Sequence, residues 1–303
     1  MESGRALVGL LNNPVVPSVI AYAPDLVQYL DVIPDRLWYD FEFDESNGKR
    51  FRRVTGAIEE LKQCAVGRVL GGHCIGLSLP SAIPLDLAMV DEVASLAREL
   101  EFRWFSEHLS MFLVSHGSVP NAQAGLGLPV AFDEESFEIV RGKLTTLKAK
   151  LGCRLLMENT AVFTPVPGSD MTEPQFLNRL YSEVDCGTLL DLHNLYVGQQ
   201  NEVLSAREYL EQIDPACVEE IHIAGGDELA GFYTDSHSGL TPPAVWEWAY
   251  EFGPRFTNLR AIVFEFHESY FGKLGLQGIA GELERMHLLA ESLASKAPQN
   301  RVA

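Results

Sequence analysis

The sequence predicts an α/β fold, a (β/α)8 barrel forming a single domain over residues 1–303. Three observations predict it. Short apolar runs, each closed by a polar residue, recur eight times, as strands buried on both faces require. Stretches of helical period alternate with them. The length holds the ~250 residues of such a barrel with insertions, and no repeat, low-complexity tract or Gly/Ser linker divides it. An open, doubly wound sheet is the competing arrangement of the same alternation.

The strands expected in order are Ala6–Leu11, a less regular one within Tyr29–Phe41, Val69–His73, Phe102–His108, Arg154–Asn159, Gly187–Asp191, Val218–Ile223 and Ala261–Phe266. Between them, Leu85–Glu101 places Leu85, Leu87, Val90, Val93, Ala94, Ala97 and Leu100 near a period of 3.6. Glu134–Leu151 and Glu173–Val184 read as helices in the same way, and Glu282–Ser295 closes the chain. Pro242-Pro243 marks a helix start over Ala244–Glu251, because proline is tolerated in a first turn.

Charge excludes two classes of partner. Lys and Arg total 23 against 42 Asp and Glu, a net charge of −19, which repels nucleic-acid backbones and anionic membranes. No apolar run approaches the ~20 residues of a membrane span, and the N-terminal patch is broken too early by Asn12-Asn13-Pro14 to read as a signal peptide. The five cysteines are scattered and odd in number, so a reducing cytoplasm is the expected compartment.

In such barrels the chemistry lies at the carboxyl ends of the strands. Five of the eight histidines fall there or in the adjoining loop: His73, His108, His193, His222 and His237. Their company is Glu158, Asp191, Asp235 and Glu265. Taken singly, a strand-end histidine is usually a hydrogen-bonded structural residue. Nine imidazoles and carboxylates in one mouth point to metal, and exceed what one ion uses. Glu158 and Asp191 each follow an apolar run, and a buried carboxylate needs a cation or a hydrogen-bond network. Without nearby Cys, iron–sulfur clusters and structural zinc are disfavoured, and iron, manganese or zinc fits the donor set. His116, His267 and His287 read as structural or surface residues. Glu107 alternates away from the mouth, to orient a ligand or to pair on the outer face, and Asp40–Glu45 reads as a solvated loop.

Seven ordered segments, GGHCIGLSL, SEHLSMF, LLMENTAVF, LLDLHNLYV, EIHIAGG, YTDSHSG and VFEFHE, resemble the signatures of the multinuclear non-haem iron-dependent oxidative enzymes. The resemblance runs from about residue 6 to 290. It implies a TIM barrel holding two or three iron ions in mixed Fe2+/Fe3+ states, with O2 as co-substrate. Known activities of that family include the methanobactin oxidase and the cysteine-processing enzyme of 3-thiaglutamate biosynthesis. Both act on ribosomally made peptides carrying a leader, with a small partner protein that grips the leader. The activity implied here is oxidation of a side chain, cysteine first, at or near a peptide C-terminus, by ferric–superoxo hydrogen abstraction at the β-carbon. Carried over position by position, the ligands are His73, His108, Glu158, Asp191, His222, Asp235, His237 and Glu265. Glu158 bridges two irons. Asp191, His222 and Glu265 complete one iron, His73 and His108 the other, and Asp235 with His237 holds a third or tunes the pair. Glu158, His108 and Asp191 are the expected catalytic group.

Three departures stand out. Where that family usually has Asn-Asn after the sixth-strand Asp, this chain has His193-Asn194; strand alternation puts His193 on the face of Asp191 as an extra ligand, with Asn194 as the alternative. Gly226 stands where that family often has His, and Leu37–Phe41 differs near the second strand. Two other functions compete with the oxidase. One is a metal-dependent sugar isomerase or hydrolase of the xylose-isomerase-like type, whose abasic-DNA endonuclease form the charge opposes. The other is a non-enzymatic metal carrier.

Overall fold

The computed structural model describes residues 5–41, 50–116 and 119–296. Eight parallel strands close a barrel: β1 (Leu7–Leu11), β2 (Tyr29–Val32), β3 (Val69–Cys74), β4 (Trp104–His108), β5 (Arg154–Glu158), β6 (Gly187–Asp191), β7 (Val218–Ile223) and β8 (Ala261–Phe264). Each pairs with the next, and β8 returns to β1 with Leu7 opposite Ala261 and Leu10 opposite Phe264. The closed parallel sheet of the sequence reading is present; the open sheet is not. A closed barrel has no strand edge, and every strand is covered outside by helices, which is why its runs are apolar on both faces.

The helices begin where local chemistry starts them. Asp86 accepts from the backbone N–H of Ala88 and Met89 and starts Leu87–Glu99. Asp133 caps Glu134–Leu151, which ends at Gly152 with φ +70°. Thr172 and Gln175 form a reciprocal capping box before Glu173–Arg179, and a wider turn, Leu180–Val184, follows. The last helix runs over Phe271–Lys296 with a kink at Gly275, φ +64°.

The structure corrects the sequence reading in several places. Only Tyr29–Val32 of the second segment joins the barrel; Trp38–Asp40 pairs antiparallel with Phe51–Arg53 in a hairpin outside it. Helices at Val16–Tyr22, Thr55–Cys64, Leu192–Gln200 and Ala206–Gln212 were not expected, nor was the hairpin of Met111–His116 with Val119–Leu128 after β4. Of the expected loop Asp40–Glu45, Asp40 ends a strand, and residues 42–45 lie outside the described residues. The side chain of His116 also lies outside them.

Two cores result. The larger packs the outward strand residues, such as Val8, Leu10, Leu30 and Ile221, against the helices. The smaller fills the lower barrel interior with Tyr29, Trp104, Leu156, Leu189, Ala261 and Val263. Two residues along each strand, on the same inward face, the apolar layer gives way to Asp31, Ser106, Glu158, Asp191 and Glu265. The barrel is therefore apolar at its base and polar at its carboxyl end.

Candidate metal centre

The mouth is built from the last inward residue of each strand and the first residues beyond it. His73 is the next-to-last residue of β3, His108 ends β4 and Glu158 ends β5. Glu158 Oε2 lies 3.5 Å from His73 Nε2 and 3.1 Å from His108 Nε2. Both rings are anchored on the other nitrogen: His73 Nδ1 lies 2.8 Å from Ser106 Oγ, which donates in turn to the Gly72 carbonyl, and His108 Nδ1 lies 3.2 Å from the Cys74 carbonyl. A carbonyl only accepts, so His108 Nδ1 carries the proton and Nε2 keeps its lone pair for the mouth.

Asp191 ends β6 and caps the following helix, accepting from Asn194 N–H at 2.8 Å. Asn159 pins it from both sides, accepting from Asp191 N–H and donating to the Asp191 carbonyl. Asn194 Nδ2 donates to Glu158 Oε1 at 3.1 Å and to the Asn159 carbonyl at 3.0 Å. Glu158, Asp191 and His222 offer ligand atoms all within 4.8 Å of one another. His222 Nδ1 lies 2.7 Å from Glu265 Oε1, and His237 Nε2 lies 3.2 Å from Glu265 Oε2. Asp235 Oδ1 sits 2.9 Å from both His193 Nδ1 and His237 Nε2.

All ten residues singled out in the sequence thus converge. They form three groups, His73–His108–Glu158, Glu158–Asp191–His222 and His193–Asp235–His237. Glu158 is shared by the first two, and Glu265 joins the second to the third. The strand-alternation argument for His193 was wrong: Asp191 ends the strand, and His193 reaches the mouth from the first turn of a helix. His193 faces Asp235, whereas Asn194 holds Glu158. The departures at His193 and Gly226 prove to be neighbours. A Cβ on Gly226 would lie 3.2 Å from His193 Nε2 and 2.0 Å from the Thr234 carbonyl oxygen, so no side chain fits there as the loop stands. Glu107 turns outward and accepts from the backbone N–H of Leu77 and His108. His267 and His287 lie outside the mouth, hydrogen-bonded to Ser269 N–H and to the Leu26 carbonyl.

Sequence reasoning missed Asp31 and Glu220, both fully buried beneath His222. Glu220 was findable, because a residue two before His222 on a strand shares its face. Asp31 lay in the least regular strand.

The charges of the mouth are strained without a cation. Burial pushes Glu158 well above the usual carboxylate range, aided by Asp191 and Glu265. Burial, with Asp235 and Glu265, pushes Asp191 up to about 6. Burial lowers His73 and His108, so both imidazoles are neutral at pH 7. Burial also opposes charge on His222 and His237, yet the carboxylates win. Glu265, Asp31 and Glu220 hold His222 well above its usual value, and Asp235 with Glu265 raises His237 to about 10. Glu158 Oε2, Glu265 Oε1, Asn194 Oδ1, His193 Nε2, His237 Nε2 and both His222 nitrogens are buried with no aligned hydrogen bond. Donor atoms that crowd to 2.7–3.6 Å without hydrogen-bond alignment are the pattern of ligands around cations, so the residues fit bound metal.

A closed (β/α)8 barrel with imidazoles and carboxylates gathered at the carboxyl ends of its strands places the protein among TIM barrels with a candidate metal centre at the active-site end. The chain belongs to the family of RiPP precursor modification enzymes (MbnB/TglH/ChrH), enzymes acting on ribosomally synthesised, post-translationally modified peptides; the family model matches residues 10–286. Among curated relatives, a UPF0276 protein of Neisseria meningitidis serogroup B is 34% identical over 208 residues, 68% of this chain and 72% of that protein. A UPF0276 protein of Chromobacterium violaceum is 29% identical over 254 residues, 82% of this chain and 88% of that protein. Among solved structures, a xylose isomerase domain protein from Planctomyces limnophilus superposes with a TM-score of 0.57 at 13% identity, covering 96% of this chain and 99% of that one. Endonuclease IV from Thermus thermophilus gives 0.52 at 16% identity, covering 94% and 99%. At these identities the likeness is one of fold.

Proposed function

We propose that the chain, as one barrel domain over residues 1–303, is a multinuclear non-haem iron oxidase. It uses O2 to modify a side chain, cysteine first, at or near the C-terminus of a leader-bearing RiPP precursor, with a small leader-binding partner, in the cytoplasm. One observation carries the reading: Glu158 is shared between a His73/His108 group and an Asp191/His222 group, as a bridging carboxylate between two ions is. His73, His108, Glu158, Asp191, His222 and Glu265 would hold the pair, and Asp235, His237 and His193 a third ion. Iron bound there would supply a site for a thiolate and for O2 and one-electron redox chemistry at the substrate's β-carbon, which zinc lacks.

The chain's residues do the rest. Ser106 and the Cys74 carbonyl fix the rings of His73 and His108. Asn194 steadies Glu158 through Oε1 and leaves Oε2 to the two imidazoles. His73, Glu158 and His222 are buried, whereas His108, Asp235 and His237 are about one-fifth to one-quarter exposed. The open side of the cup therefore lies between His108 and His237. A peptide terminus entering there displaces water from a site whose electrostatics strengthen as it dries.

The test is metal analysis of protein purified without air, followed by addition of a Cys-ending peptide. Two or more irons per chain and a thiolate-to-iron absorption band are expected. Zinc alone, with no activity after iron reconstitution, overturns the reading in favour of another metal-dependent barrel chemistry.

A further inference from the structure

We propose that Asp31 and Glu220 are positioning residues that turn the ring of His222 so that Nδ1, not Nε2, faces the cup; the inference rests on reading the cup as a metal centre. His222 is inverted relative to its neighbours. His73 and His108 are anchored through Nδ1 and present Nε2 to Glu158. His222 places Nε2 3.4 Å from Asp31 Oδ2 and 3.6 Å from Glu220 Oε1, on the barrel side of the ring, and Nδ1 2.7 Å from Glu265 Oε1. A carboxylate only accepts, so an Nε2–H shared between the two acids leaves a lone pair on Nδ1. That lone pair beside a Glu265 oxygen is repulsive unless a positive charge lies between them, a proton when the cup is empty and a metal cation when it is filled.

The two acids are held in turn. Tyr29 O–H donates to Asp31 Oδ1 at 3.0 Å, and Trp104 Nε1–H donates to Glu220 Oε2 at 2.7 Å. The two aromatic rings stack with centroids 4.9 Å apart. Gly71 makes the room: a Cβ there would lie 1.8 Å from the Tyr29 hydroxyl. Each acid thus has one oxygen tied by an aromatic donor. The other, Asp31 Oδ2 or Glu220 Oε1, is buried without an aligned hydrogen bond and turned to His222. Among the described residues, His222 is the one ion-pair partner either acid has. A carboxylate behind a ligating imidazole fixes ring orientation and tautomer, and losing such a group costs roughly ten- to a hundredfold in metal affinity.

The test uses the full chain, labelled with 15N in histidine and loaded with zinc, a diamagnetic probe of the same ligands. Long-range proton–nitrogen spectra show which ring nitrogen carries the metal. His222 is expected to bind through Nδ1 with its proton on Nε2, and His108 the reverse. Asp31→Asn and Glu220→Gln keep volume; each is expected to weaken zinc binding roughly ten- to a hundredfold and to mix the His222 tautomers, while melting near the wild-type temperature. Zinc on Nε2 of His222 in the wild type overturns the proposal, as do wild-type affinity and an unchanged His222 pattern in both variants. Should both variants fold poorly, the wild-type spectrum alone decides. Loss of one whole metal equivalent in Asp31→Asn, with His222 bound through both nitrogens in the wild type, would make the acids ligands of their own ion and also overturn it. A chain that takes up no zinc, manganese or iron overturns the metal reading itself.

Discussion

Glu158 ties the cup together, because His73, His108 and Asn194 all converge on its two oxygens. Glu158→Ala is expected to lose metal from both adjoining positions and to abolish turnover. His108→Ala is expected to lose one equivalent, with turnover abolished as well. Iron counts on each purified variant check both outcomes, and full activity in either removes the proposed pairing. Protons compete with metal for the same atoms. Asp191, raised to about 6, and His237, raised to about 10, must both be deprotonated to bind. Affinity is therefore expected to rise with pH, most steeply below about pH 6 and more gently from there toward about 10, with protons released on binding. Metal titrations on the acid and alkaline sides of neutrality, in buffers of different ionisation enthalpy, check the sign; an affinity that falls with pH contradicts it.

One helix start shows how the surrounding elements hold the cup. Glu173, the first residue of Glu173–Arg179, is buried and accepts from Thr160 N–H at 2.8 Å, two residues beyond Glu158. Burial raises its carboxyl to about 7, from an ordinary value of 4.5. A carboxyl raised in the folded state stabilises fully below its unfolded value, and that stability is lost as pH rises through about 7. The difference is on the order of 3 kcal/mol at alkaline pH. Glu173→Gln keeps the acceptor and drops the charge, so the variant is expected to exceed wild type in stability at about pH 8.5 and to match it near pH 5. Denaturant titrations at the two values check this. The element scale is also where the sequence was hardest to read. His193 takes a strand neighbour's geometry in the sequence reading because nothing in Leu190-Asp191-Leu192-His193 shows that Asp191 stops the strand and caps a helix. The second strand is obscured because its four residues lead straight into a turn and a hairpin outside the barrel.

Across the whole molecule, acids and imidazoles from most of the strands are buried in one cup and its floor, a cost that a folded chain bears only with compensating cations or protons. Metal that binds only the folded state stabilises it by mass action, about 2.7 kcal/mol at roughly a hundredfold excess over Kd. Chelation at mildly alkaline pH is therefore expected to lower the melting temperature, and adding iron or zinc back to restore it. Differential scanning calorimetry checks this, and an unchanged melting curve contradicts bound metal. The sequence by itself determined the barrel, because eight apolar runs each ending in a polar group impose a parallel sheet with one polar end, and it pointed to nine imidazoles and carboxylates at that end; Asn194 came from the family resemblance. Only the tertiary structure decided which imidazole meets which carboxylate, that Asn194 holds Glu158 while His193 holds Asp235, and that Asp31 and Glu220 underlie His222. Those pairings depend on barrel closure, which brings residues far apart along the chain within hydrogen-bond distance and leaves no trace in local sequence.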